Sequence, residues 1–283
     1  MTIVTPARAA VILVAGAVLA AGCGRGCGRR SPAAHSDKVP LPPRTLAVGA
    51  APKVQILNQG GSVRVTAGPA GTVRVSGTGV GRGPFREEAA ALARGIPVHL
   101  TTAADGTVAI EARPNRGKAL GASADLEIQV PADARLSIQT RAMGVVEVRG
   151  ITGGVQVECL EGDVTLRDVA GAVTVTTRKA GAVEAAGAIT ALTVQAAGAA
   201  RITTTAGRLT EESSVRVRRG DAVVIVPAAF SGTVDLAATG GAVKDDFELP
   251  RAPSGAVVDG RLGGGGPRLS IQAKRGDAEL RRR

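Results

Sequence analysis

The residues best suited to chemistry are few in this chain. Its cysteines are Cys23, Cys27 and Cys159, and its histidines are His35 and His99. A Ser–His–Asp site needs a structured histidine; only His99, in an alternating segment, qualifies, and no Gly-x-Ser-x-Gly elbow accompanies it. A metal site needs several converging ligands, and the two histidines are far apart in sequence. We therefore predict no catalytic residue, no metal site and no cofactor.

Carboxylate pairs are the second candidate for chemistry. They occur at Glu87–Glu88, Glu211–Glu212 and Asp245–Asp246. The first pair suits a helix N-terminus, and the other two suit solvated loops. A glycosidase pair stays open as an alternative. However, aromatic residues make up 1% of the chain, with no Trp or Tyr, so the rings that usually stack on sugars are missing.

Three short motifs look functional when taken alone. Arg219–Asp221 and Arg275–Asp277 both spell Arg-Gly-Asp, the integrin-binding tripeptide, and Gly263–Gly266 is a glycine run. Gly-Asp dipeptides often mark turns, and the glycine run lacks the Lys and Ser/Thr of a phosphate-binding loop. We interpret all three motifs as turns that precede strands.

The N-terminus has the features of an export signal. Arg8 precedes an apolar run, residues 9–22, that is too short for a comfortable membrane span but suits a signal-peptide core. The run ends in Leu19–Cys23, which resembles the lipobox of bacterial lipoproteins. That resemblance implies that residues 1–22 are a signal peptide and that Cys23 carries a diacylglycerol. The alternative is an ordinary secretory signal that is cleaved nearby.

Two cysteines remain once Cys23 is assigned to the lipid. Cys27 and Cys159 could form a disulfide in an oxidising compartment. Cys159 also shares strand parity with Val155 and Val157, which favours a buried small apolar residue. We prefer this second interpretation.

The segment after the anchor differs in composition from the rest of the chain. Residues 23–52 are rich in Pro, Arg, Ala and Ser, and we predict a disordered, basic tether of polyproline II character. The net charge of the chain is +11, and residues 24–53 hold six bases against one acid, whereas residues 144–218 hold eight of each. This distribution suits a tether near anionic lipid head groups, and export makes nucleic acid a poor partner.

Residues 53–142 predict an N-terminal β region with one helix. Its short segments alternate apolar and polar residues and are separated by glycines. The helix is predicted over residues 84–94, with Pro at its start, acids in its first turn and Gly after its end. Phe85, Ala89 and Leu92 should form its buried face.

Residues 143–283 predict an all-β repeat. Glycine precedes one short alternating strand after another, as at Gly144, Gly154 and Gly162. Each unit is too short to return the chain through a helix, so parallel βαβ is excluded. Two units, 17 to 19 residues, would make one coil of a β-solenoid, whose open end the C-terminal strands would close. An antiparallel sandwich of hairpins is the competing model, but the near-constant glycine phase favours the solenoid.

Several segments beyond residue 52 carry a family resemblance. The first is a strand end, Val130–Ala134, that leads into a new strand, Leu136–Ile138. The second is the Gly-Asp start of a repeat, at Gly162–Val164 and Gly220–Ala222. The third is a glycine-rich turn before a last strand, Gly260–Leu269. Together they resemble the bacterial putative-adhesin family of β-strand-repeat domains, a domain of unknown function related to the head-GIN domain. The resemblance implies an exported, lipid-anchored or membrane-tethered β-solenoid without catalytic residues.

The repeat departs from the family pattern in one respect. Ala replaces the Asp that usually follows Gly at Gly171–Ala172, Gly181–Ala182 and Gly198–Ala199. A cation site built from a ladder of aspartates is therefore doubtful in this chain.

These features predict a non-enzymatic, lipid-anchored cell-envelope protein whose β-repeat surface serves adhesion, scaffolding or protein interaction. It would be exported and held in the membrane through Cys23, in the outer membrane of a Gram-negative cell because Gly24 follows the cysteine. Further partners would be an envelope protein or an anionic polymer. The alternative is a regulatory or sensory accessory that binds such a partner through the tether and basic patches such as Arg281–Arg283.

The lipid anchor is directly testable with the variant Cys23→Ser. We expect the wild-type chain to carry a diacylglycerol mass on Cys23 and to fractionate with membranes, because the two acyl chains of a thioether-linked diacylglycerol partition into the bilayer. The variant should lack this mass and be released. Intact mass spectrometry with membrane fractionation measures both, and an unmodified wild-type chain in the soluble fraction would contradict the lipobox interpretation.

Overall fold

A computed structural model of the protein describes residues 35–114, 121–253 and 257–283. The signal peptide, Cys23, Cys27 and the first part of the predicted tether lie outside these residues. The described part is nearly all-β, as predicted, with one helix. The elements in chain order are β1 (His35–Ala47), β2 (Lys53–Asn58), β3 (Val63–Gly68), β4 (Thr72–Gly83), α1 (Arg86–Arg94), β5 (Val98–Thr102), β6 (Val108–Ala112), β7 (Ala122–Pro131), β8 (Arg135–Met143), β9 (Val146–Arg149), β10 (Val155–Glu161), β11 (Val164–Ala180), β12 (Val183–Ala196), β13 (Ala200–Thr204), β14 (Ser213–Val217), β15 (Ala222–Val226), β16 (Gly232–Ala238), β17 (Val243–Asp245), β18 (Val257–Leu262), β19 (Arg268–Ala273) and β20 (Ala278–Arg282).

The strands form two ladders in which neighbouring strands are mostly parallel. The first ladder runs β6–β2–β8–β10–β11–β12–β14–β19–β16, with β5 and β18 antiparallel at its ends. The second ladder runs β7–β3–β9–β11–β12–β13–β15–β20–β17, with β4 and then β1 antiparallel at one end. Strands β11 and β12 are long enough to contribute to both ladders. The parallel pairing argues against the antiparallel sandwich of hairpins.

The register stacks equivalent residues of successive repeats. Leu136 pairs with Val155, Val155 with Val173, and Val173 with Leu192. The chain thus returns to the same ladder position after 19, 18 and 19 residues, the differences between these residue numbers. This agrees with the period that the glycine spacing predicts.

One column of aliphatic side chains forms the centre of the core on the first ladder. Each of its members is at most 1% exposed: Ile110, Ile56, Ile138, Val157, Val175, Val194, Val215, Ile271 and Leu236. β-Branched side chains suit such a pleated surface, and each buried one contributes about 1.5–3 kcal/mol. Because an aliphatic Ile, Val or Leu recurs at this position in every repeat, this core is built without Trp or Tyr.

The glycines that mark the repeats stack upon one another at one turn. A Cβ atom on Gly144 would overlap the carbonyl oxygen of Gly61, one on Gly162 that of Gly144, and one on Gly181 that of Gly162. Successive turns therefore approach so closely that no side chain fits between them. This is the physical reason for the regular glycine phase in the sequence.

The predicted tether is wrong for residues 35–47, which form strand β1. This strand pairs antiparallel with β4, from His35 opposite Gly83 to Ala47 opposite Thr72. Among the described strands β1 has only this one neighbour, so it is an edge strand, where proline's missing N–H is tolerated. The register shifts between Leu41 and Arg44, where two prolines fall, and Leu41 is buried.

The helix forms where the sequence predicts it, but its buried face differs. Phe85 is 70% exposed and Leu92 is half-buried, whereas Ala89, as predicted, and Ala93 are buried. Phe85 has an extended backbone at the N-cap, so helical spacing does not apply to it. The helix packs against β4 at two glycines, because a Cβ on Gly79 or Gly81 would overlap carbonyl oxygens of α1.

The C-terminal strands do not simply close the open end, as the sequence suggests. Strand β19 lies between β14 and β16, and β20 lies between β15 and β17. The last strands of the chain are thus inserted into the ladders. Strands β17 and β18, which precede them in sequence, form the ends instead.

The glycine stack predicts a selective loss of stability in Gly144→Ala. Gly144 has no left-handed φ, so the added methyl group acts only through the close approach and should cost about 2 kcal/mol, as overpacking does. The matched control is Gly207→Ala, whose Cβ would meet nothing within 4 Å. Urea unfolding followed by circular dichroism measures both variants, and equal stabilities would refute the steric interpretation.

Candidate functional site

The structure places the candidate catalytic and metal-binding residues apart from one another. His99 lies on β5 and its side chain is exposed, and His35 is exposed at the start of β1. Among the described residues, no group of three His, Cys, Asp or Glu side chains lies close enough to hold a metal ion.

Cys159 is buried, as the strand parity predicts. It is 1% exposed and lies between Thr140 and Thr177 in an inward column of the first ladder. Its Sγ atom donates to the carbonyl oxygen of Gly162 at 3.7 Å. Burial raises the pKa of the Cys159 thiol, which disfavours the reactive thiolate. The disulfide alternative involves Cys27, which lies outside the described residues.

The carboxylate pairs serve local structure. Glu87 and Glu88 are exposed in the first turn of α1, where negative charge favours the helix, and Glu211 and Glu212 are exposed before β14. Asp245 is different, because its side chain is only 1% exposed at the end of the second ladder. Its Oδ1 atom accepts the N–H groups of Phe247 and Leu249 at 3.1 and 2.9 Å.

The charge of Asp245 is balanced by one arginine. The Arg251 guanidinium pairs with Asp245 Oδ2 at 3.1 Å and also donates to the carbonyl oxygen of Val243 at 2.9 Å. A buried carboxylate with backbone donors and one ion pair is satisfied. It stabilises the loop after β17 and leaves no free group for acid–base chemistry.

The two Arg-Gly-Asp tripeptides lie at stacked turns. Asp221 Oδ1 accepts the backbone N–H of Asp277 at 2.9 Å, and Asp277 Oδ1 accepts that of Ala242 at 2.8 Å. Lys244 Nζ binds Asp277 Oδ2. Both aspartates therefore connect one turn to the next.

In other repeats, an aspartate makes the same kind of hydrogen bond. Asp163 Oδ1 accepts the N–H of Ala182 at 2.8 Å, and Asp125 Oδ1 accepts that of Ser62 at 2.9 Å. These carboxylates bind backbone donors of the adjacent turn. Where Ala follows Gly, as at Ala182, the row of carboxylates is interrupted.

The remaining motifs are also engaged in internal contacts. Gly263–Gly266 lies in the turn between β18 and β19, where Ser231 Oγ donates to the carbonyl oxygen of Gly265 at 2.9 Å. In the Arg281–Arg283 patch, Arg281 pairs with Glu279 at 2.5 Å. Arg282 lies 4.8 Å from the centre of the Phe247 ring. The patch is therefore a weaker candidate for binding than its sequence suggests.

The outer surface of the first ladder, which we call the polar face, is the strongest candidate for a binding surface. Its central column consists of uncharged polar side chains in register on seven strands: Gln55, Ser137, Gln156, Thr174, Thr193, Ser214 and Ser270. Neighbouring strands are about 4.8 Å apart, so hydroxyl and amide groups recur at that interval. Except for Ser270, none of these side chains hydrogen-bonds to another described residue.

The outer surface of the second ladder is different, because it carries charged side chains, some of which pair across neighbouring strands. Arg64 Nε donates to Glu147 Oε2 at 2.8 Å across β3 and β9, and this bond raises the pKa of Arg64. Arg149 similarly pairs with Asp168 at 3.3 Å. Part of the charge of this surface is thus paired internally, whereas the central column of the polar face leaves most of its donors and acceptors to solvent or a partner.

Sequence reasoning did not identify the polar face. The alternation that predicts the strands does place Thr174 and Thr193 on the outer side. What it cannot give is the register that brings them next to Gln156 and Ser214. Among the described residues, no helix has the length and apolar character needed to span a bilayer.

No family model and no curated protein matches this chain. Solved structures of bacterial proteins are similar over most of its length. One is a putative adhesin from Bacteroides fragilis, 13% identical, with a TM-score of 0.42, covering 87% of this chain and 97% of its own. Another is a putative cell adhesion protein from Clostridium sporogenes, 12% identical, with a TM-score of 0.34, covering 86% and 99%. A putative lipid binding protein from Parabacteroides distasonis is 11% identical, with a TM-score of 0.29, covering 85% and 96%.

The Arg-Gly-Asp turn at Asp277 predicts a specific pH dependence. Lys244 and the Ala242 N–H lower the pKa of Asp277, and Lys244 contributes most. The stabilisation from Asp277 is therefore fully present above its unfolded pKa of about 3.9 and is lost as the pH falls through the lower folded pKa. In Lys244→Gln the pKa of Asp277 should rise toward its ordinary value in a carboxyl-carbon NMR titration.

The control for this titration is Lys179→Gln. Lys179 is exposed and has no ion pair with any described residue, so its loss should leave the pKa of Asp277 unchanged. If Lys244→Gln also left that pKa unchanged, the structural role assigned to the turn would be wrong.

Proposed function

We propose that this chain is a non-enzymatic, lipid-anchored protein of the bacterial cell envelope, in which a β-solenoid presents a surface for adhesion, scaffolding or protein interaction. In this proposal the two parallel ladders are the two faces of the solenoid. The in-register return every 18 or 19 residues in the central repeats supports the solenoid.

The observation that carries the proposal is the unpartnered polar face. Six of the seven residues of its central column make no side-chain hydrogen bond to a described residue. A rigid row of such groups gives a partner many equivalent hydrogen bonds at little entropic cost, because the strands are already ordered. A catalytic site would instead need converging groups with perturbed pKa values.

The anchor and the location are supported by the N-terminal sequence. Leu19–Cys23 follows an apolar core without internal charge. Lipidation of Cys23 would hold the protein in the membrane, and Gly24 favours the outer membrane in a Gram-negative cell. Membership of the putative-adhesin family is part of the proposal. It is supported by the motifs from Val130 to Leu269.

A second candidate function is a regulatory or sensory accessory that binds an envelope partner or an anionic polymer. It is favoured by a concentration of basic side chains at one edge of the polar face, where Arg178 lies near the end of β11 and Arg218 and Lys274 directly follow β14 and β19.

The test of the first candidate is a triple variant of the polar face, Gln156→Glu, Thr193→Glu and Ser270→Glu. These residues lie on alternate strands β10, β12 and β19, so the new charges are not direct neighbours. A deletion strain complemented with this variant should lose the surface adhesion or envelope integrity that the wild-type gene restores, because a partner would have to desolvate three carboxylates.

The matched control is Thr66→Glu, Thr165→Glu and Thr203→Glu, on alternate strands β3, β11 and β13 of the second ladder. It adds the same charge and should complement fully. Equal loss in both variants would count against the polar face. A defined hydrolytic activity of the purified wild-type protein would overturn the non-enzymatic assignment.

A further inference from the structure

We propose that the edge of the polar face where the strands of the first ladder end is a binding site for a linear polyanion, an acidic polysaccharide. We call this site the basic edge, and its members are Arg141, Arg178, Lys179, Arg218, Arg219, Lys274 and Arg275. The proposal makes the second candidate function more specific by naming the ligand class. It rests on that function only for the cell-envelope location, where the protein would encounter the polymer.

The strand register brings these bases, which are distant in the sequence, next to one another at one edge. Thr140, Cys159 and Thr177 lie side by side, as do Ala196, Val217 and Ala273. The residues that follow them in the chain lie at the same edge. They are Arg141, Leu160, Arg178, Ala197, Arg218 and Lys274, in ladder order. The four basic residues among them are exposed, whereas Ala197 is buried.

The spacing of the bases forms a line. Arg141 and Arg178 are two strands apart, as are Arg178 and Arg218, and Lys274 is on the strand next to that of Arg218. At about 4.8 Å per strand, the backbones that carry these charges span about 24 Å. A line of this kind fits an extended chain with repeated negative charges better than it fits a single small anion.

Most bases of this edge lack acidic partners, whereas several bases of the second ladder are paired. Arg178 pairs with Glu158 at 3.7 Å, and the other six make no ion pair with any described residue. On the second ladder Arg64 and Arg149 do have carboxylate partners. Unpaired like charges in a row repel one another, and a bound polyanion would relieve that repulsion.

Two of the guanidinium groups are held in place by the backbone. Arg218 Nη1 donates to the carbonyl oxygen of Arg178 at 3.2 Å, and Arg219 Nη2 donates to that of Lys179 at 3.0 Å. These side chains reach across strand β12, which ends there in small residues, with Ala197 following it. Fixed guanidinium groups lose less entropy on binding and keep other N–H donors for a carboxylate.

A groove of about 550 Å³ lies at one end of the basic edge. It is lined by Arg141 and Arg178 with Gln139, Glu158 and Leu160 among the residues between them. Positive groups therefore flank a recess beside the amide groups of the polar face. This combination of charge and neutral hydrogen-bonding groups matches a polymer with both carboxylates and hydroxyls, which an acidic polysaccharide supplies without aromatic stacking.

The test uses the full-length chain with Cys23→Ser, so that no acyl chain contributes to binding. The probe is polygalacturonate, compared with neutral dextran and with vesicles of phosphatidylcholine and phosphatidylglycerol. We expect polygalacturonate to bind, more weakly at higher salt, and dextran not to bind. The edge variant Arg178→Gln, Lys179→Gln, Arg218→Gln and Arg219→Gln should lower the affinity about tenfold or more, as loss of several charge pairs predicts.

The matched control is Arg74→Gln, Arg82→Gln, Arg167→Gln and Arg201→Gln, four exposed bases on β4, β11 and β13. It removes the same net charge and should change the affinity by less than about threefold, because screened distant charges contribute little. Circular dichroism and thermal unfolding establish that each variant is folded. If the edge variant does not fold, the milder pair Arg141→Gln and Lys274→Gln should still weaken binding more than the control.

Three outcomes would overturn the proposal: equal losses in the edge and control variants, dextran binding as tight as polygalacturonate binding, or binding to the anionic vesicles alone, which would indicate a membrane contact. Because these measurements use purified, unlipidated protein, they are independent of the complementation assay on the polar face. If the purified protein failed to bind polygalacturonate but the complemented strain still adhered, the polyanion site would be refuted and the proposed surface function would not be affected.

Discussion

Successive repeats of this chain approach so closely at one turn that the carbonyl oxygen of one glycine occupies the space a Cβ atom of the next would need, as between Gly61, Gly144 and Gly162. The in-register parallel pairing of both ladders depends on this approach, because a larger residue would push adjacent strands apart. Aspartates such as Asp163 and Asp221 reinforce it by accepting backbone N–H groups of the neighbouring turn. Chain geometry at the turns therefore sets the register everywhere else.

Once the register is fixed, the position of a residue within its repeat decides its environment. Inward positions such as Ile138 and Val157 stack into a dry column, and small β-branched side chains are sufficient to fill it. Outward positions stack equally regularly, so hydroxyl, amide and basic groups become rows on the surface. In a repeat of this kind, the same type of side chain at one position of each repeat produces an extended surface of uniform chemistry.

The same geometry explains why motifs that look functional in sequence serve structure here. Asp277 lies in an Arg-Gly-Asp tripeptide, yet its carboxylate is engaged by Ala242 and Lys244. Asp245 belongs to a pair of neighbouring acids, yet it is buried and paired with Arg251. Most uncharged side chains in the central column of the polar face make no such internal contact, and most bases at its edge have no carboxylate partner. The proposed binding surfaces therefore lie there.

The all-β class, the repeat period and the position of α1 follow from the sequence by itself, because alternation, glycine spacing and helix-end signals are local properties. The burial of Cys159 follows for the same reason. Only the tertiary structure decided that the proline-rich residues 35–47 pair with β4, that β19 and β20 are inserted within the ladders, and that Phe85 is exposed. It also decided that Arg178 and Arg218 share one edge. Each of these depends on which distant strand becomes a neighbour, and the periodicity of a segment carries no information about its partner.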